Sequence, residues 1–247
     1  MNDKECTNTV DEDEINGFIK LNWWDSALTG INQARVPFIQ NSYYASSEYS
    51  IIPFYKKVIL EVGCGGGVLT EELAKLGGVV HGIDPCLEAI TVAKQHATLN
   101  KELTNLTYEL TTIEEHANLH HELYDVVVVS EVIEHVTEKF EFLKNCVKCL
   151  KPGGSIIITT FNKTMCSWLF SIIILQEILN YIPRGTHTWD KFISPEDLSV
   201  MLYSLNCKPF RVTGMKCNAI TKTWRLSSNI STSYCFEALK NFKEDVN

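Results

Sequence analysis

The 247-residue chain suits one domain, because a single core grows efficiently to about 250 residues. Its 45% apolar and 21% charged residues are ordinary globular usage, which excludes disordered and fibrous classes. A net charge of −8 repels phosphate backbones, so no nucleic-acid partner is expected, and no run of about 20 apolar residues is present to cross a bilayer.

Residues 1–14 carry six acids against Lys4, the pattern of neither a secretory signal nor a transit peptide. Residues 15–47 are aromatic and polar, with Phe18, Trp23, Trp24, Phe38, Tyr43 and Tyr44, and read as helices capping the mouth of a sheet. From Lys57 apolar runs alternate with helical patterns. Val58–Val62, Val79–Asp84, Tyr124–Val129 and Ser155–Thr160 read as strands covered on both faces, with a weaker strand at Leu106–Leu110. Val68–Leu76, Leu87–Leu99 and Val136–Leu150 read as helices, so the sheet is parallel with right-handed crossovers.

The first strand runs into Glu61-Val-Gly63-Cys-Gly65-Gly-Gly67 and then directly into a helix, the place where glycines let backbone approach a nucleotide-like ligand. A dinucleotide fingerprint needs glycine at 68, where this chain has Val68; G-x-G-x-G with an acid two residues upstream suits S-adenosylmethionine instead. Asp84, 21 residues beyond Gly63 at the end of the second strand, is placed to accept from ribose hydroxyls.

After the strand at 124–129 comes Ser130-Glu131-Val-Ile-Glu134-His135. If Glu131 opens a helical turn, Glu131, Glu134 and His135 stand at i, i+3 and i+4 on one face. Two carboxylates and an imidazole there either hold a divalent ion, Mg²⁺ being the chemical match, or hydrogen-bond a ligand and cap a helix. Cys146 and Cys149 lie in an amphipathic helical pattern and read as core; the nine scattered cysteines indicate no disulfide framework. Lys151-Pro-Gly-Gly154 predicts a sharp turn.

Ser167–Ile182 places Trp168, Ile172, Leu175, Leu179 and Ile182 on one helical side and Gln176, Glu177 and Asn180 opposite. It reads either as a lid packed on the core or as a helix lying in a membrane interface. Pro195–Leu205 reads as a helix, with closing strands at Phe210–Thr213 and Thr221–Leu226.

These features together resemble the ubiquinone-biosynthesis O-methyltransferases, bacterial and mitochondrial. The likeness runs through Trp23-Trp24-Asp25, Ile31-Asn-Gln-Ala-Arg35-Val-Pro37, Leu60–Gly67, Val92-Ala-Lys-Gln-His96, Tyr124-Asp-Val126, Glu131–His135, Leu150–Gly154 and Pro183-Arg-Gly-Thr-His187-Thr-Trp-Asp-Lys-Phe192. The glycine loop is common to class I methyltransferases; the paired tryptophans and Gly-Thr-His-x-x-x-Lys-Phe are narrower.

The resemblance implies an α/β class I fold: a Rossmann-like seven-stranded sheet with its last strand antiparallel, an N-terminal helical cap and a helical insertion before the closing strands. As one methyltransferase domain, the chain divides into cap (1–47), cofactor core (48–161), amphipathic lid (162–194) and closing segment (195–247). S-adenosylmethionine is the implied donor, with Arg35, Gly63, Gly65, Gly67, Asp84 and Ser130 at donor-binding positions and Arg35 on the methionine carboxylate. Glu131, Glu134 and His135 match the family's Mg²⁺ ligands, and His187 is a candidate general base or a structural histidine. The implied acceptor is a polyprenylated catechol or phenol, 3,4-dihydroxy-5-polyprenylbenzoate or demethylubiquinol. Membrane contact through 167–182, a ubiquinone-synthesis complex and the matrix face of the mitochondrial inner membrane are further expectations. The alternatives are a methyltransferase for another small phenol and a non-catalytic scaffold.

Overall fold

The computed structural model describes residues 23–25, 27–43, 52–173, 191–218 and 221–241. A short 3-10 turn at Trp23–Asp25 precedes helix α1 (Ala27–Gln40). There follow β1 (Val58–Val62), α2 (Val68–Lys75), β2 (Val79–Asp84), α3 (Leu87–Ala97), β3 (Leu106–Leu110), α4 (Ile113–Leu119) and β4 (Tyr124–Ser130). A 3-10 turn at Ile133–His135 leads to α5 (Lys139–Cys149), β5 (Leu150–Phe161), α6 (Met165–Ile173), α7 (Pro195–Ser204), β6 (Cys207–Asn218), β7 (Thr223–Ser227) and β8 (Ser233–Lys240).

The strands form one sheet in the order β3-β2-β1-β4-β5-β8-β6-β7. Strands β1 to β5 pair in parallel, and β8 runs antiparallel to both β5 and β6. Alternation along the strands divides the core: Val127, Val129, Ile156 and Ile158 pack towards α5 and α7, whereas Val126, Val128 and Ile157 pack towards α1 and α2. Cys146 and Cys149 belong to the first of these faces, where burial pushes both thiols up, that of Cys149 to about 12; they are core residues.

Three expectations change. Among the described residues the sheet has eight strands, not seven, because β7 extends it beyond β6. The closing strands are three, and β8, the one inserted beside β5, escapes an apolar reading because it carries Glu237. That carboxylate is 0% exposed and accepts from Ser155 Oγ (2.9 Å), the Tyr43 N–H (2.9 Å) and Arg211 (3.2 Å). Finally, Lys151–Gly154 is no turn between elements but an irregularity inside β5: pairing passes from Tyr124↔Leu150 to Val126↔Ser155, and Gly153 takes φ 79°. Asp125 pins this bulge by accepting from Lys151 Nζ (2.9 Å) and from the Val58 N–H (2.8 Å). Helix α4 is additional to the predicted elements, although its capping box, with Thr112 and Glu115 satisfying each other's backbone, is written in the sequence as T-x-x-E.

The insertion is described at its two ends, 162–173 and 191–194. Helix α6 is fixed to the 230–231 loop, with Asn162 Nδ2 donating to the Ile230 carbonyl (2.9 Å) and Thr164 Oγ1 to that of Ser231. Residues 174–182 of the predicted amphipathic helix lie outside the described residues. Among the described residues no helix is long and apolar enough to cross a membrane.

Candidate functional site

The carboxyl ends of β1, β2, β4 and β5 share one edge of the sheet, where the glycine loop and Glu131 follow β1 and β4, and Asp84 and Ser130 end β2 and β4. The glycine loop between β1 and α2 is tied to the end of β2 by the Gly63 and Cys64 N–H groups, which donate to the Ile83 carbonyl (2.8 and 3.0 Å). Asp84 completes the tie: its two carboxylate oxygens accept from the Gly65 N–H (2.9 Å) and the Cys86 N–H (2.8 Å). Burial raises its pKa, and the two amides act against that shift by favouring the anion. Gly67, at φ 83°, precedes α2, and a Cβ there would fall 2.3 Å from Tyr108 Oη.

Arg35 reaches the edge from α1. Only 4% exposed, it donates through Nε to Asn32 Oδ1 (2.6 Å) and through a terminal nitrogen to Ser130 Oγ (2.8 Å). The hydrogen bonds then run one way. Ser130 Oγ lies 2.7 Å from Thr159 Oγ1, and Thr159 donates to Glu131 Oε1 (2.7 Å), so a chain of hydroxyls links the guanidinium to the carboxylate. Glu61, buried at the end of β1, accepts from Thr70 Oγ1 (2.6 Å). Burial pushes it up to about 7, opposed by Thr70 and by the charge of Arg35 and assisted by Asp84. Glu61 is thus electrostatically joined to both Arg35 and Asp84.

The carboxylate–histidine face takes a different form from the expected one. Glu131 has φ 55°, a left-handed conformation, and Val132 at φ −125° is also outside the helical region, so the turn begins only at Ile133. The i, i+3, i+4 alignment therefore does not arise. Glu131 is held by Thr159, while Glu134, 2% exposed, accepts from the next residue of β5, Thr160, through its Oγ1 (2.8 Å). Burial and then the charge of Glu134 push Glu131 up to about 8. Among the described residues no group of three His, Cys, Asp or Glu side chains is arranged to hold a metal ion; Glu131 and Glu134 are instead engaged by Thr159 and Thr160. His187 lies outside the described residues.

Sequence reasoning missed Thr159, Thr160 and Tyr108. The threonines carried a signal, since polar residues at the carboxyl end of a strand otherwise apolar are placed to face a ligand.

The family model described as "Methyltransferase domain" matches residues 60–158, from β1 through β5. The chain is 38% identical to the ubiquinone biosynthesis O-methyltransferase of Hydrogenovibrio crunogenus, over 91% of this chain and 92% of that one. The chain belongs to the ubiquinone biosynthesis O-methyltransferase family. Its mouse mitochondrial relative is 39% identical over 94% of this chain, which spans 66% of that protein's length. Among solved structures, the Synechocystis magnesium protoporphyrin IX methyltransferase with bound S-adenosylhomocysteine superposes with a TM-score of 0.54 at 20% identity, covering 75% of this chain and 74% of that one. That likeness establishes the class I methyltransferase fold.

Proposed function

We propose that this member of the family transfers the methyl group of S-adenosylmethionine to a phenolic oxygen of a polyprenylated catechol, a dihydroxybenzoate or a demethylubiquinol. The observation that carries the reading is the cradle at the sheet edge: Arg35 on Ser130, and the glycine loop on Asp84. Arg35 is suited to a carboxylate such as that of the donor's methionine, through a charge-assisted contact. Asp84, already holding two amides, keeps lone pairs for ribose hydroxyls.

In the reaction the acceptor oxygen bonds to the methyl carbon while the carbon–sulfur bond breaks and its electron pair stays on sulfur, leaving S-adenosylhomocysteine. In-line approach makes positioning the main task, and a phenol with a pKa of about 10 must also lose its proton. Glu131 and Glu134 border the acceptor side, and His187 receives the proton. The exposed Met165, Trp168 and Leu169 at the start of α6 support contact with a lipid surface, from which a tailed acceptor is taken. The matrix face of the mitochondrial inner membrane is the proposed location, in keeping with the mitochondrial relatives.

One assay tests the reading: methyl transfer to a short-tailed dihydroxybenzoate and a short-tailed demethylubiquinol, against catechols without a tail. Turnover of the tailed acceptors is expected. Equal efficiency on the tailless ones would transfer the assignment to a general phenol methyltransferase, and no turnover on any would favour a scaffold. Run with and without chelator, the same assay reads the metal: full activity in chelator leaves activation to the protein's own groups, whereas a loss restored by Mg²⁺ means that the carboxylates leave their threonines to bind it.

A further inference from the structure

The paired tryptophans at the start of the cap carry an inference that rests on the donor reading and goes beyond it. Trp23 is buried against the glycine loop itself. A Cβ at Gly65 would meet the Trp23 ring at 2.4 Å, and one at Gly66 would meet its Cβ and ring at 2.5 Å. These two glycines are therefore filled by the cap, and the loop is a receptor for an indole before it is a ligand site. Trp24, next in the same turn, stacks on His96 of α3, with ring centroids 3.3 Å apart and 11° between planes. His96 Nδ1 in turn lies 2.7 Å from Glu71 Oε1, a buried acid in the first turn of α2. The turn thus grips both helices that begin at the donor edge, α2 after the glycine loop and α3 after Asp84. Twelve residues beyond Trp23, Arg35 enters the same site from α1.

We propose that the Trp23–Trp24 turn is a positioning element for the methyl donor. Trp23 holds the loop in the conformation that receives S-adenosylmethionine and shields it from water, and the Trp24–His96 stack holds the turn in register. Neither tryptophan is a catalytic residue. The loop's glycines are consequently coupled to the cap: a side chain at Gly66 acts on the donor by pushing Trp23 away.

The test is calorimetric titration of the full chain with S-adenosylhomocysteine, together with separate KM and kcat values for donor and acceptor. Trp23→Ala is expected to weaken binding roughly tenfold or more and to raise the donor KM while the acceptor KM stays within about twofold. Trp23→Phe, which keeps an aromatic face, should recover most of the loss. Gly66→Ala should weaken binding in the wild-type background and much less beside Trp23→Ala, because the group it displaces is gone. Should Trp23→Ala fail to fold, the same cycle is run with Trp23→Leu. Binding by Trp23→Ala equal to or tighter than wild type, or additive effects in the cycle, would overturn the inference. A wild-type chain that does not bind S-adenosylhomocysteine would instead sink the functional reading beneath it.

Discussion

The proposed donor and acceptor sides of the site differ in what holds them. On the donor side, Asp84 rests on two backbone amides, the glycine loop hangs from the Ile83 carbonyl, and Arg35 is gripped by Asn32 and Ser130. On the proposed acceptor side, Glu131 and Glu134 are held by the hydroxyls of Thr159 and Thr160, and α6 begins with Met165 and Leu169 at 67% and 56% exposure. Asp84 and the glycine loop rest on backbone groups, which cannot be re-aimed without moving a strand, whereas Arg35 and the two acids rest on side-chain groups, and a hydroxyl rotates. A small polar cofactor rewards the first arrangement, since binding then requires little reorganisation, and a long-tailed acceptor requires the second, since something must open to admit it.

The sharpest way to break the donor side is to remove Arg35. Its burial lowers its own pKa, while the charges of Glu61 and Glu131 act to keep it protonated. Arg35→Ala removes the cation that offsets both buried carboxylates, for which a stability loss of about 3 kcal/mol or more is expected, with donor affinity falling about 100-fold. Thermal denaturation and S-adenosylhomocysteine titration read both effects. Arg35→Lys should fall between, because it restores charge but not the fork. Unchanged affinity in the alanine variant would mean that the cap cation has no part in the cradle.

Glu61 offers a pH signature on the same side. Its folded pKa of about 7 lies above the ordinary 4.5, so the folded chain binds the proton more tightly than the unfolded one. Stability without ligand should therefore fall as pH rises from about 4.5 to about 7 and be level in this respect above it, a change on the order of 3 kcal/mol. Glu61→Gln, whose carbonyl still accepts from Thr70, should remove that share of the slope and leave the share of Glu131, which is raised in the same sense to about 8. A variant with the wild-type pH profile would show that another group titrates there.

Much of this donor side is readable in the sequence because it depends on local rules. Alternating apolar runs and turn residues place β1, β2 and β3 at the observed boundaries, and G-x-G-x-G followed by Asp84 locates the ligand edge. The readings that changed depend on partners distant in sequence. Strand β8 is disguised by Glu237, whose burial makes sense only once Arg211, Ser155 and Tyr43, near the end of the cap, surround it. The helical alignment of Glu131, Glu134 and His135 assumes a backbone that Glu131 does not adopt, because its N–H continues the β4–β5 pairing by donating to the Thr159 carbonyl (2.9 Å) before the turn starts. Spacing reports which residues can meet on a helix; it does not report that a strand runs one residue further.

Gly67 sharpens the comparison at lower amplitude. Gly67→Ala combines a left-handed backbone with a Cβ 2.3 Å from Tyr108 Oη, and together these should cost about 2 to 3 kcal/mol. Pairing it with Tyr108→Phe removes the nearest atom but leaves ring carbon Cζ 2.9 Å away and the backbone strain in place, so only part of the melting temperature should return. Full recovery would show that φ at this position contributes nothing.

The acceptor side predicts the smallest effect on stability and the most selective one on function. Trp168 and Leu169 are exposed on α6, so the double variant Trp168→Glu, Leu169→Glu should melt within about 0.5 kcal/mol of wild type. Each removed apolar side chain withdraws about 1.5 to 3 kcal/mol of transfer energy from a lipid surface, so sedimentation with neutral phospholipid vesicles should drop by about tenfold or more. Turnover of a long-tailed acceptor presented in those vesicles should fall with it, while turnover of a water-soluble, short-tailed acceptor and S-adenosylhomocysteine affinity stay unchanged. That separation is what the two kinds of contact require, because a change confined to the opening leaves the amide-held cradle as it was. Equal loss on both acceptors would place α6 in the cradle's own structure, and vesicle binding at the wild-type level would remove the start of α6 from the membrane contact.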